Sequence, residues 1–431
     1  MNSKITFSAV GDIFINRRLP EGGYEGFDAL RALIGGADVR FANLETTIHD
    51  REGYPFPFSG GTWAMASPAV LEDLKRFRFN LFNAANNHAM DYSHNGLEAT
   101  MRHLERSGVL FAGIGKNLAD ASAPVYLECA GGRVALIAAT TTFQETWIAG
   151  QQRPDMQGRP GVNGIRRKDT FYVTDEQMAV LRAISEATFI DAQYMLAAKD
   201  GFFVQKPGTF RFGGKTFATA DTTHCESVPD ERDLNRLVAS IKEARSQADC
   251  VLVSIHSHDL GGLRKDYPSE FYQALCHACI DAGANAILGH GPHVLRGIEL
   301  YHGGVIFYSL GNFLFENDTT THQPADFYEK YGLPCDALVG AGMDARSRNG
   351  KIGLGLDADV WRSVVAKWSM ENGSFSEITL YPITLHQELS RFNRGLPSPA
   401  GDSAVLHSLA GLCAEFGTKL DIRNGIGIIE M

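Results

Sequence analysis

Residues 285–299 read NAILGHGPHVLRGIE. An apolar run, Ala286 to Leu288, stops abruptly at Gly289-His290-Gly291-Pro292-His293. A run this short suits a buried strand, and it ends by presenting two imidazoles on a loop of glycine and proline. The pattern recurs along the chain. ITFSAVGD ends in Gly11-Asp12, VRFANLE in Asn43 and Glu45, and CVLVSIHSH in His256-Ser257-His258. FNLFNAANNH ends in Asn86-Asn87-His88, with Asp91 just beyond. In α/β folds the carboxyl ends of the strands converge at one crevice, so residues far apart in sequence meet there. Asp, Glu, Asn and His together form the mixed oxygen and nitrogen set that Mn, Zn or Fe accepts. One histidine at a strand end is usually a hydrogen-bonded core residue; five such ends predict one shared site. Glycines 11, 289 and 291 are expected to turn the backbone and leave room beside a ligand.

The surrounding pattern is α/β. VALIAATTT and VIFYSLGNF are two further predicted strands. Helical stretches such as PAVLEDLKRF, GLEATMRHLERSG, ERDLNRLVASIKEAR and SEFYQALCHACIDAG lie between the strands. This alternation predicts a layered fold with a parallel or mixed sheet. Length alone suggests two or three domains; we expect one, 1–431. The alternation breaks at 143–221, where a Gly/Pro/Arg-rich loop precedes a long helical pattern opened by Thr174, with Gln177 completing a capping box. We read 143–221 as an insertion capping the active face and 317–350 as an irregular, mobile loop. GLGLDADVWRSVVAKWSM, FSEITLYPITL and IGIIE read as strands, and SAVLHSLAGLCAEF as a helix.

With 431 residues, 44% hydrophobic and 21% charged, the chain can bury a large core. Its net charge of −10 argues against nucleic-acid binding, which needs a basic face. It leaves room for an anionic substrate met by a few arginines or a metal. No run approaches the roughly 20 apolar residues of a membrane span. The opening MNSKITFSAVGDIF lacks a signal-peptide core and reads as a first strand, so a cytoplasmic location is expected. Seven scattered cysteines give no disulfide framework, and the Cys276/Cys279 pair lies in a helical pattern without a second pair. Nothing in the sequence bears on oligomeric state.

The ordered set GDIFINR, ANLET, NAANNHAMD, LVSIHSHD, ILGHGPHVLRGIE and FYSLGNFLFE resembles the CapA family, bacterial proteins associated with capsule or poly-γ-glutamate synthesis. The resemblance runs from residue 6 to about 316, the insertion excepted. It implies a calcineurin-like, metallo-dependent phosphatase fold. This is a four-layer αββα sandwich of two mixed sheets flanked by helices, with a metal site at the strand ends. The resemblance assigns Asp12, Glu45, Asn87, His256, His290 and His293 as metal ligands for one or two ions, and His88 as a group acting near the leaving group. Three departures weaken a two-metal centre: Phe14 stands where a second ligand is usual, Glu45 replaces an aspartate, and Pro292 lengthens the histidine spacing by one.

Three functions follow. A metal-dependent hydrolase would use Asp12, His88 and His293 catalytically on a phosphoester or a γ-glutamyl or peptide-type amide. Arg17 would receive an anionic group. Asn312 is counted as substrate-binding, although its YSLGNFLFE motif would serve equally to hold the histidine loop. A metal-independent Cα epimerase, like the lasso-peptide epimerases that resemble this family, would need no ion and would pair Asp12 with His293 as acid and base. A capsule-assembly scaffold with a vestigial site is the third. His258 and Asp259 are expected to orient the ligands, His49 to line the mouth, and Arg18 to be solvated.

Overall fold

The computed structural model describes residues 4–204 and 206–431. It divides into two compact units, 1–165 with 235–431, and 166–234.

The larger unit contains two mixed sheets. In the first, the neighbours run Asp421–Arg423, Ile426–Ile429, Ile378–Thr384, Arg362–Glu371, Lys4–Phe14, Val39–Leu44, Leu81–Asn83 and Leu110–Ala112. Asn312–Phe315 pairs in parallel with the end of Lys4–Phe14. In the second, the order is Ile298–Tyr301, Gly304–Phe307, Ala286–His290, Cys250–His256, Gly132–Thr140 and Val125–Cys129. Its four middle strands are parallel and its edges antiparallel. Cys250–His256 and Ala286–His290 are buried at every position. That explains why they read as unbroken apolar runs, as parallel strands covered on both faces do.

One apolar cluster joins the sheets face to face. Phe7, Ala9, Phe41 and Leu81 of the first meet Leu136, Ala138, Leu252, Leu288 and Phe307 of the second. Each such side chain taken fully out of water contributes roughly 1.5–3 kcal/mol. The alternate residues Val10, Ile13, Ala42 and Leu44 point the other way, onto helices Phe27–Gly35 and Val70–Arg76. Helix Glu270–Asp281 covers the outer face of the second sheet, where the Tyr272 hydroxyl donates to the Ile255 carbonyl at 3.3 Å. The result is the αββα sandwich.

The smaller unit is a four-stranded sheet, ordered Thr209–Phe212, Lys215–Thr219, Arg167–Val173, His224–Pro229, with helices Asp175–Thr188 and Ala192–Lys199. Thr174 and Gln177 form the capping box. The long helical pattern divides at Phe189, whose φ of 53° ends the first helix in the left-handed region.

Three expectations need correction. VIFYSLGNF is two strands in different sheets: Gly304–Phe307 belongs to the second and Asn312–Phe315 to the first, with Ser309-Leu310-Gly311 crossing between them. Segment 317–350 carries helices Ala325–Lys330 and Val339–Ser347, whose Phe327, Tyr328 and Met343 pack with Trp63, Met65 and Tyr92. Leu354–Leu356 and Ala358–Trp361 are 3₁₀ turns, so the strand there begins only at Arg362. Among the described residues no helix is long and apolar enough to cross a membrane.

The crossing depends on a close backbone approach. The Asp12 N–H donates to the Gly311 carbonyl at 2.8 Å. A Cβ on Gly11 would stand 2.8 Å from the Gly311 carbonyl carbon and nearer still to its oxygen. Gly11 is therefore needed for contact with another strand, not for a turn. Gly11→Ala is expected to cost about 3 kcal/mol or more and to lower the thermal midpoint. Gly22→Ala, with open space around it, should stay within about 0.5 kcal/mol of the parent. Equal melting curves for the two variants would contradict the packing described.

Candidate metal centre

Lateral register lines up the polar residues at the carboxyl ends of both sheets. In the first sheet Asn83 pairs with Asn43, Asn43 with Asp12, and Asp12 with Asn312. In the second, Thr140 pairs with His256 and His256 with His290. Asp12, Asn43, Asn83, His256, His290 and Asn312 are all fully buried.

Two groups of ligand atoms result: Asp12, His256 and His290, and Glu45, His258 and His293, each within 4.8 Å. In the first, Nδ1 of His256 and Nδ1 of His290 are 2.9 Å apart. They lie 3.8 and 3.6 Å from Asp12 Oδ1. Two imidazole nitrogens bound at about 2.1 Å to one ion and at right angles would be about 3 Å apart. In the second, Glu45 Oε1 has Nε2 of His256 at 3.7 Å, of His293 at 3.8 Å and of His88 at 3.9 Å. His258 Nε2 lies 3.2 Å from His256 Nε2, so His256 faces both groups through its two nitrogens.

The carboxylates differ in a telling way. Asp12 accepts from Asn43 Nδ2 at 2.7 Å and from the Gly291 N–H at 3.1 Å. Glu45 is fully buried, and among the described residues neither of its oxygens has a hydrogen-bond partner. The buried Asn87 Oδ1 is unpartnered too, while its Nδ2 donates to the Gly60 carbonyl at 3.2 Å. Orphaned buried oxygens beside converging imidazoles are what a cation would satisfy, so the residues fit a divalent ion. Burial raises the carboxyl of Asp12 to about 7 against those two hydrogen bonds. It raises Glu45 well above its ordinary range, with the charges of Asp12 and Asp91 adding to the effect. Burial pushes His290 down to about 3 and His293 to about 4, and holds His256 and His258 well below the usual imidazole range. The rings are thus neutral near pH 7, the form that binds metal.

Neighbouring groups orient the rings. His290 Nε2 contacts Ser254 Oγ at 2.7 Å and Asn83 Nδ2 at 2.9 Å, which aims Nδ1 inward. His293 has φ of 62° just after Gly291 at 121°, a conformation costing a β-carbon residue about 1–3 kcal/mol. Asn312 holds it there. Its Nδ2 donates to the Val360 carbonyl, so Oδ1 accepts from His293 Nδ1 at 2.9 Å and Nε2 is left free. Asp91 accepts backbone N–H groups from Gly60 and Ala64 and lies 2.6 Å from His88 Nδ1.

Two residues expected to bind substrate already have protein partners. Arg17 Nε donates to Glu316 at 2.8 Å, and its guanidinium lies over Phe392. Asn312 is spent on His293. Arg18 pairs with the buried Asp73 at 2.5 Å, and His49 is buried against Tyr92. The sequence reading under-rated His258. Residues two apart on an extended chain share a face, which would have placed it beside His256. Asn83 and Ser254 had the same signal, each lying on the inward face of its strand.

Residues 6–317 match the family described as bacterial capsule synthesis protein PGA_cap. An uncharacterized protein of Sinorhizobium fredii (strain NBRC 101917 / NGR234), y4sH, is 34% identical over 445 residues, 99% of this chain and 93% of its own length. The PGA biosynthesis protein CapA of Bacillus subtilis (strain 168) is 26% identical over 321 residues, 73% of this chain and 64% of that protein. The crystal structure of a hypothetical protein from Thermus thermophilus aligns at 15% identity with a TM-score of 0.40, over 88% of this chain and 98% of that one.

Protein purified without chelator is expected to carry Mn, Zn or Fe by elemental analysis, with at least tenfold less in Glu45→Gln and His290→Ala. Because Glu45 and Asp12 hold protons in the empty site to higher pH than usual, ion uptake must release them. Apparent affinity should therefore rise from pH 5 to pH 8, with proton release seen by calorimetry in buffers of different ionisation enthalpy. A flat pH profile would contradict the assignment of these carboxyls.

Proposed function

Because the chain belongs to the bacterial capsule synthesis protein PGA_cap family, we propose that it is a metal-dependent hydrolase. Its substrate would be a phosphoester or a γ-glutamyl or peptide-type amide linked to capsule or peptide metabolism. The carrying observation is Glu45: a carboxyl with no hydrogen-bond donor, wholly buried, and ringed by imidazole nitrogens at 3.7–3.9 Å. Removing an unpaired carboxylate from water costs several kcal/mol; a proton offsets that penalty by neutralising the carboxyl, and a bound cation offsets it while keeping the carboxylate as a ligand.

Asp12, His256 and His290 would hold one ion, and Glu45, His258 and His293 a second, with Asn87 Oδ1 as a further oxygen donor. A divalent ion there supplies Lewis acidity and lowers the pKa of a water molecule. The protein's own part is proton traffic and orientation. His88 Nδ1 is tied to Asp91, which leaves Nε2 on the Glu45 side, positioned to give a proton to a departing oxygen or nitrogen. Asn312 sets His293 so that Nε2 faces inward.

The same geometry speaks against the metal-independent epimerase. A Cα between an acid and a base needs each about 3 Å away on opposite faces. Asp12 Oδ2 and His293 Nδ1 are 3.6 Å apart, and that nitrogen is already bonded to Asn312. No carbon fits between that nitrogen and Asp12, so an epimerase would have to work through Nε2 of His293.

The test is hydrolysis of p-nitrophenyl phosphate, bis-p-nitrophenyl phosphate and γ-glutamyl-p-nitroanilide by the full chain. At least one should be turned over, with activity abolished by EDTA and restored by Mn, Zn or Fe. His88→Asn should lower kcat by about 10²–10⁴ with metal content unchanged. Activity that survives complete metal removal would overturn the proposal.

A further inference from the structure

A cavity of about 220 Å³ adjoins the metal centre, walled by Phe315, Met343, Arg346, Arg391 and Arg394. Phe315 packs against the His293 ring with centroids 5.0 Å apart, so one wall of the cavity is also a wall of the centre. The three arginines are not equivalent. Arg391 is paired with Asp344, and Arg394 with Asp318, where it also lies over Trp361 at 4.7 Å. Arg346 projects half-buried from helix Val339–Ser347 and donates to Thr62 Oγ1. Among the described residues it has no carboxylate partner.

Thr62 is itself fixed, because its hydroxyl donates to Asn317 Oδ1 at 2.8 Å and so has a lone pair left for Arg346. The two residues before Thr62 lead back to the centre. A Cβ at Gly61 would meet Arg346 Nη2 at 3.5 Å, and one at Gly60 would meet His88 Nε2 at 2.7 Å. One N–H of Arg346 is engaged by Thr62. A guanidinium offers five in a planar fork, suited to two-point binding of a carboxylate or phosphate.

We propose that Arg346 is a specificity-determining residue that receives an anionic group of the substrate, carboxylate or phosphate, in this cavity. The scissile bond then reaches the centre past Phe315. This rests on the hydrolase reading above for what happens at the centre, though not for the anion binding itself. Arg391 and Arg394 are already paired with carboxylates, so the charge left over for a ligand is that of Arg346. Its volume suits one small anionic group at the end of a substrate.

The test is calorimetric titration of the full-length protein with glutarate and, separately, with inorganic phosphate, before and after chelator treatment. Wild type should bind one of them saturably at one site, whether or not metal is present. Arg346→Gln should weaken that binding at least tenfold and Arg346→Lys should recover part of it, with unchanged melting curves. Preference for glutarate assigns a carboxylate, and preference for phosphate a phosphoryl group. The proposal is overturned by absent binding in wild type, by equal binding in wild type and Arg346→Gln, or by binding that vanishes with chelation. Metal analysis of the untreated samples reports separately on the hydrolase reading: protein that carries no metal as purified, yet binds anion through Arg346, would count against that reading alone.

Discussion

The hydrogen bond from the Asp12 N–H to the Gly311 carbonyl is the contact on which the rest of the centre depends. It lies where the chain passes from one sheet to the other, and only glycine at position 11 leaves space for it. The same short crossing is tied to the second sheet, where the Leu310 N–H donates to the Gly289 carbonyl at 3.0 Å. One tripeptide thus holds the end of the Asp12 strand against the end of the His290 strand. Sheets packed through side chains alone sit about 10 Å apart; here backbone meets backbone at their carboxyl ends. That narrowing brings carboxylates from one sheet within 4 Å of imidazoles from the other.

The proximity creates an electrostatic conflict that protein groups resolve only in part. Each N–H bonded to a charged group contributes about 1.5–3 kcal/mol, against a desolvation cost of several kcal/mol per ion. Asp12 receives two such bonds and still titrates near 7; Glu45 receives none. Protonating the rings would supply the missing positive charge, but burial of four imidazoles together opposes that more strongly than the carboxylates favour it. A compact positive charge that is not a proton would resolve the conflict, and the clustered residues could hold one. The polar groups behind the rings, Asn83, Ser254, Asn312 and Asp91, then keep the nitrogens aimed at that charge.

The sequence made the clustering of these polar residues legible because each ends an apolar run, and a run that stops at a charge has few structural excuses. The sandwich was legible through the same strands and the family resemblance. Other features depended on long-range pairing. Arg17 looks available until Glu316, 299 positions away, is found against it. VIFYSLGNF has the composition of one strand, and nothing local says that Gly311 sends its second half into another sheet. Arg346 lies in 317–350, where short helices are held by contacts with Trp63 and Tyr92 and carry little periodicity of their own. The break in alternation marked an insertion near 143, yet residues 143–165 belong to the larger unit and the smaller one runs from 166 to 234.

Phe14 connects the departure from the usual ligand pattern with the cavity. It occupies the position two residues after Asp12 where a further metal ligand is expected, and it removes a donor from the centre. Its ring instead packs edge-on against His88 at 5.0 Å and against Phe315 at 5.8 Å. Phe315 continues to His293 on one side and to Trp361 on the other, over which Arg394 lies. An aromatic wall therefore runs without interruption from His88 to the arginine-lined cavity. Such a wall excludes water and holds the His88 ring in place by packing.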